Sequence, residues 1–107
     1  MDIRQIQSQA RELRALKGWN DTTLDRRVVF LVSEVGEVAK ELLQLERLQH
    51  AAAAYDGRTS DQEAVKERLG MEIYDVIWNL CDLANLAEID LEAAFLKKNE
   101  LNREREW

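Results

Sequence analysis

Apolar residues recur along the chain at helical spacing, and four segments carry the pattern. Ile3, Ile6, Ala10, Leu13 and Leu16 share one face of a helix over residues 2–17, with Arg4, Gln7, Arg11 and Arg14 on the other faces. Lys17-Gly18 ends it, because glycine accepts the left-handed cap without a side-chain clash. Trp19 to Thr23 is a polar connection holding one aromatic, and Asp21, Thr22 or Thr23 supplies the next cap. Leu24, Val28, Leu31, Val35, Val38, Leu42 and Leu45 trace a second helix, from Leu24 to Gln49. Its segment 28–32 is apolar on every side, which predicts enclosure from more than one direction. Residues 50–60 read as a long connection that includes His50, although Ala51 to Ala54 are able to prolong the helix. Ser60 and Glu63 then fit a capping box.

A third helix is expected over residues 61–87. Val65, Leu69, Ile73, Val76, Leu80 and Leu83 or Ala84 form its main stripe, and Met71, Tyr74, Trp78 and Cys81 a second one. Tyr74 and Trp78 read as interface residues and Cys81 as buried structure. Gly70 costs this helix roughly 1 kcal/mol relative to alanine, which a close approach of a neighbouring helix would justify. Asp90 is a good cap for a fourth helix, residues 91–105, with Leu91, Ala94, Phe95 and Leu101 inward.

Composition narrows the fold. There is no proline and there are only four glycines in 107 residues, so long helices are favoured over a many-turned β fold. The expected architecture is all-α: one domain over residues 1–107, a four-helix protomer with long antiparallel helices two and three. Both helices carry apolar residues beyond their main stripes, more than four helices enclose, so self-association into a dimer or tetramer is expected. The net charge of −6 argues against a duplex nucleic acid partner, which calls for a basic stripe. Cys81 is the only cysteine, so no internal disulfide forms. No signal peptide or membrane-crossing apolar run is apparent, and a cytoplasmic location is the expectation.

The candidate chemistry lies in two acidic patterns. Glu34 and Glu37 on helix two, and Glu72 and Asp75 on helix three, are each three residues apart and so share a helix face. With 21 acidic residues, about four such pairs arise by chance in this chain, so the spacing alone decides nothing. Edge position says more. Glu34, Glu37 and Glu41 form a band about 70° behind the apolar stripe of helix two, and Glu72, Asp75 and Asn79 a band about 60° behind that of helix three. Antiparallel helices packed stripe to stripe place both trailing edges on the same side, and the connection over residues 50–60, though a long loop, is short enough to favour antiparallel neighbours. Four converging carboxylates repel one another, and a hard cation with oxygen ligands relieves this. Mg²⁺ suits such a site and leaves positions for substrate phosphates. No histidine or thiolate stands in either pattern, which argues against zinc.

Ser33-Glu34-Val35-Gly36-Glu37-Val38 and Glu72-Ile73-Tyr74-Asp75-Val76-Ile77-Trp78 resemble the paired motifs of the MazG-like all-α nucleoside triphosphate pyrophosphohydrolases. Residues 89–95, followed by Lys98, Asn102 and Arg103, resemble that family's last helix. The resemblance implies hydrolysis of a nucleoside triphosphate to the monophosphate and pyrophosphate, with Mg²⁺ as cofactor and Mn²⁺ as a possible substitute. It implies Glu34, Glu37, Glu72 and Asp75 as metal ligands. Glu37 or Glu41 would activate the water, and Lys98, Asn102 and Arg103 or Arg105 would hold phosphate oxygens. Trp19 stands where related proteins place a base-stacking aromatic, with helix packing as its other reading. Asn79 is placed to touch sugar or phosphate, or to be solvated.

Two departures from the family pattern stand out. Ser33 replaces a glutamate common before the first motif, and the gap between Glu37 and Glu72 is longer than usual. Two alternative functions remain open. One is the related phosphoribosyl-ATP pyrophosphohydrolase, disfavoured because its aromatic-histidine pair is Trp78-Asn79 here. The other is a non-catalytic helical oligomerisation or regulatory protein.

Overall fold

The computed structural model describes residues 1–19, 22–55 and 60–105. They form four helices in order, α1 (Ile3–Lys17), α2 (Leu24–Tyr55), α3 (Ser60–Leu86) and α4 (Leu91–Glu104), with no strand among them. No helix among these residues is long and apolar enough to cross a membrane. The ends lie close to the expected positions except at the end of α2, where the alanine run carries the helix on to Tyr55. Alanine is the best helix former, and nothing before residue 56 breaks the ladder. The expected cap at Asp21 lies outside the described residues, as does the Ser60 side chain on which the capping box depends.

The chain divides into two compact units, one of residues 1–28 with 78–107 and one of residues 29–77. In the first, Asp2 caps α1 with a full capping box: its side chain accepts from the Gln5 N–H, and the Gln5 side chain accepts from the Asp2 N–H. Ala10, Trp78 and Cys81 form the buried cluster, with Ile3, Ile6, Leu13 and Leu91 packed against it. Trp78 is therefore core in its own chain, where the sequence pattern suggested an interface. The reason is that α1 covers the Trp78–Cys81 face of α3 and leaves Leu80 exposed. Leu16 stays in solvent, and Phe95 and Leu101, expected inward on α4, are 60% and 51% exposed.

Gln7, expected on a polar face, is buried and ties α1 to the α3–α4 turn. Its side-chain amide donates to Asn85 Oδ1 and the Ile89 carbonyl, and accepts from the Leu91 N–H. That turn closes like the end of α1. Gly18 donates to the Ala15 carbonyl and Trp19 to that of Arg14; Glu88 donates to the Asn85 carbonyl and Ile89 to that of Ala84. Both are Schellman closures with a left-handed residue, Gly18 at φ 70° and Glu88 at φ 58°. Asp90 then caps α4 by accepting from the Glu92 and Ala93 N–H groups.

Beneath the core lies an ion network built on Asp82, which is fully buried. Arg14 from α1 forks onto it at 2.8 and 3.1 Å, and Arg27 from α2 reaches it at 2.7 Å. Arg27 also donates to Asn79 Oδ1 at 2.7 Å and lies over the Trp78 ring, 5.0 Å from its centre. Burial pulls the Arg27 pKa down, Asp82 pulls it back up and Arg14 lowers it. By contrast, Arg4 meets Asp90 and Glu92 in solvent, where ion pairs contribute at most about 1 kcal/mol.

In the second unit, Leu45, Val65 and Gln62 are buried, and Gln62 donates to the Leu48 carbonyl. The rest of the expected α2 stripe is half-buried at Leu31 and Val38 and exposed at Val35 and Leu42. A Cβ on Gly70 would meet nothing within 4 Å, so this glycine serves no close helix approach.

Removing the charge of Asp82 leaves two buried guanidiniums without a counter-ion. Asp82→Asn should lower stability by about 3–5 kcal/mol in urea titration. A loss no larger than that of an Asp90→Asn control would show that the network does not hold the fold.

Candidate metal centre

The acidic patterns are on the second unit, on α2 and α3. Glu34, Glu72 and Asp75 each offer a carboxylate oxygen, all within 4.8 Å of one another, and all three side chains are half-buried. Glu34 and Glu72 are 38 positions apart in the chain, so their meeting is a product of the fold. Helix geometry does the rest: Glu72 and Asp75 are one turn apart and face the same way.

The electrostatics are those of an overcrowded site. The pKa of Glu72 is raised, first by burial and then by Asp75, Glu34, Glu37 and Glu41 in that order. The other four carboxylates of the two bands therefore all act on Glu72. Neither Glu34 nor Glu72 forms an ion pair among the described residues. Glu37 is exposed and lies outside the three-oxygen cluster. Glu41 is mostly buried and accepts from Arg68 at 3.4 Å. An all-oxygen, anionic donor set is of the kind a hard divalent cation takes. Glu34, Glu72 and Asp75 are the residues that would hold it.

The substrate-binding candidates belong to the other unit. Trp19 is 41% exposed and meets Trp78 edge-on, with ring centres 5.6 Å apart. Trp19 therefore packs against Trp78 while part of its surface stays exposed. Asn79 is buried and its oxygen is taken up by Arg27, so it is neither solvated nor open to a ligand. Lys98, Arg103 and Arg105 are exposed on and just after α4. Asn102 is half-buried, and its Oδ1 is shielded without a hydrogen-bond partner.

Sequence reasoning missed Asp82 and its two arginines. A signal was present: Asp75, Asn79 and Asp82 continue one band along α3 at helical spacing. The band changes character along its length, from a carboxylate cluster in one unit to a carboxylate neutralised by guanidiniums in the other.

The raised Glu72 pKa has a sign that can be measured. Between the ordinary carboxylate value and the raised one, the folded state binds more protons than the unfolded, so stability falls as pH rises through that window. Glu72→Gln should therefore be more stable than the parent at pH 7, and the difference should vanish below about pH 4. Millimolar Mg²⁺ should raise the melting temperature of the parent saturably and that of Glu72→Gln much less. Equal Mg²⁺ responses in thermal melts would remove Glu72 from the ligand set.

Comparison with known protein families, curated proteins and solved structures found no match.

Proposed function

We propose that the chain is a Mg²⁺-dependent nucleoside triphosphate pyrophosphohydrolase, as its likeness to the MazG-like motifs implies. The observation that carries this reading is the convergence of Glu34, Glu72 and Asp75 from two distant motifs into one half-buried oxygen cluster. The contacts of Leu48 with Gln62, Glu41 with Arg68 and Glu34 with Glu72 run in opposite chain directions, which supports the antiparallel packing of α2 and α3.

A divalent ion held there would neutralise the cluster and polarise the phosphate groups of a triphosphate. Mn²⁺ has the same oxygen preference and would substitute. In the reaction, the oxygen of water bonds to the α-phosphorus and the α–β bridging oxygen departs with pyrophosphate. The water's proton passes to a carboxylate and then to solvent. Glu37 is the better base: it is exposed and adjoins the cluster, whereas Glu41 is engaged by Arg68. Lys98, Asn102, Arg103 and Arg105 are the groups for phosphate oxygens, and the exposed part of Trp19 is the surface for a base.

Self-association belongs to the same reading. Val29, Phe30, Val32 and Leu43 are each more than half exposed in the single chain, on a helix whose apolar positions run round its circumference. Apolar surface of this extent marks a contact with another chain, and a second copy offers the matching surface. The reading assigns these residues to a dimer or tetramer interface.

A pyrophosphate-release screen over standard and modified nucleotides should find Mg²⁺-dependent turnover. Glu37→Gln and Asp75→Asn should each lower it by about 10²-fold or more while circular dichroism stays unchanged. A well-folded protein that turns over no nucleotide would point to the non-catalytic alternative. Sedimentation equilibrium at micromolar concentration should return a dimer or larger; a monomer would overturn the interface assignment.

A further inference from the structure

The contacts of Asp82 continue past its two arginines to the indole of Trp19, all within the unit of residues 1–28 and 78–107. Arg14 commits two of its three guanidinium nitrogens to the buried carboxylate, Nε at 2.8 Å and Nη2 at 3.1 Å. The third, Nη1, donates to the backbone carbonyl of Trp19. The N–H of Trp19 in turn donates to the carbonyl of Arg14 at 3.1 Å. One residue of α1 thus satisfies both backbone polar groups of Trp19.

The indole is held as well. It meets Trp78 edge-on, with centres 5.6 Å apart and planes at 83°. Trp78 carries the Arg27 guanidinium 5.0 Å from its ring centre, and Arg27 reaches Asp82 at 2.7 Å. The contacts therefore form a closed circuit: Asp82, Arg14, Trp19, Trp78, Arg27 and back to Asp82. The arginine side chains, Asp82 and Trp78 are enclosed, yet Trp19 stays 41% exposed. A tryptophan that served packing alone would gain most by burying its whole ring. Trp19 is instead fastened at its backbone and along its ring and still offers surface to solvent. A rigid, exposed aromatic suits a planar ligand, because little freedom is left to lose on binding.

We propose that Arg14, clamped by Asp82, is the positioning residue for Trp19 and sets its indole as the platform on which the nucleobase of the substrate stacks. This rests on the hydrolase reading and adds to it the group that fixes the base-contacting ring. Arg14 acts through Trp19 and by geometry as much as by charge. Its planar fork grips the carboxylate with two nitrogens while the third reaches the carbonyl, whereas a lysine ammonium has one nitrogen for both tasks. Lysine at this position would still neutralise Asp82 together with Arg27, so it separates the fork from the charge.

The test uses the full-length chain with Arg14→Lys, Trp19→Ala and the double variant. Two indoles in edge-on contact give an exciton couplet in ultraviolet circular dichroism, and Trp19→Ala separates it from the contribution of Trp107. Arg14→Lys should lose most of the couplet and keep the helical signal. Arg14→Gln, read in the same way, replaces it if the lysine variant does not fold. For the nucleotide found in the pyrophosphate-release screen, Arg14→Lys and Trp19→Ala should each raise KM about tenfold and leave kcat within about twofold. The double variant should be no worse than Trp19→Ala, because the two residues act as a unit. An intact couplet in Arg14→Lys, a loss confined to kcat, or KM effects that multiply would each overturn the proposal. The couplet needs no nucleotide, so the two claims separate. Turnover with the couplet intact in Arg14→Lys rejects the positioning role and keeps the hydrolase. A couplet lost in Arg14→Lys, in a chain that turns over no nucleotide, rejects the hydrolase and its nucleobase and keeps Arg14 as the residue that positions Trp19.

Discussion

A carboxylate withdrawn from water must find a positive charge or give up its own, and much of this structure follows from that constraint. Helix α3 meets it in two ways within a few turns. At Asp82 the counter-charges are built into the protein: Arg14 and Arg27, from two other helices, close on one fully buried carboxylate. At Glu72 the neighbours are other carboxylates, and the group responds by holding its proton more tightly. The first arrangement fixes the positions of α1 and the start of α2 around the end of α3. The second leaves a local excess of negative charge on the protein, and an external cation is the natural complement.

The helices were legible because their signals are local. Periodic apolar positions, Gly18 after Lys17, and Asp90 before Leu91 each act within a turn or two, and the structure follows them closely. The carboxylate cluster was legible for a related reason: both bands lie on the trailing edge of their stripes, and a two-helix argument brings them together. Which apolar residues become buried was not legible. That depends on which faces the neighbours cover, and α1 covers the Trp78–Cys81 face of α3 while Leu80 remains outside. Nor was the Asp82 network, whose partner Arg14 is 68 residues away in sequence. The one mark Asp82 carried was its place in the acidic band, and that does not tell a buried aspartate from its half-buried neighbours.

The hydrolase reading draws these parts into one account. In that reading the motif residues Glu34, Glu72 and Asp75 would hold a divalent ion. In that reading, too, the exposed apolar residues of α2 would pack against a second chain. The proposed division of labour is chemically coherent: oxygen donors would hold the hard cation, and nitrogen donors the phosphates. Asn79 marks the change from one regime to the other. It continues the acidic band by position, yet its oxygen faces a guanidinium rather than a ligand.

Glu88 shows how little local sequence keeps α3 and α4 apart. From residue 71 to the end there is neither glycine nor proline, so no backbone breaker stands between the two helices. At the end of α1, Gly18 adopts the left-handed conformation freely; at the end of α3, a glutamate is held in it. What holds it is α1, whose Gln7 amide grips the carbonyl of Ile89 and the N–H of Leu91 on either side of the corner. The punctuation between the last two helices is therefore written in the first. The bend between the last two helices is tied down by a side chain from the N-terminal helix.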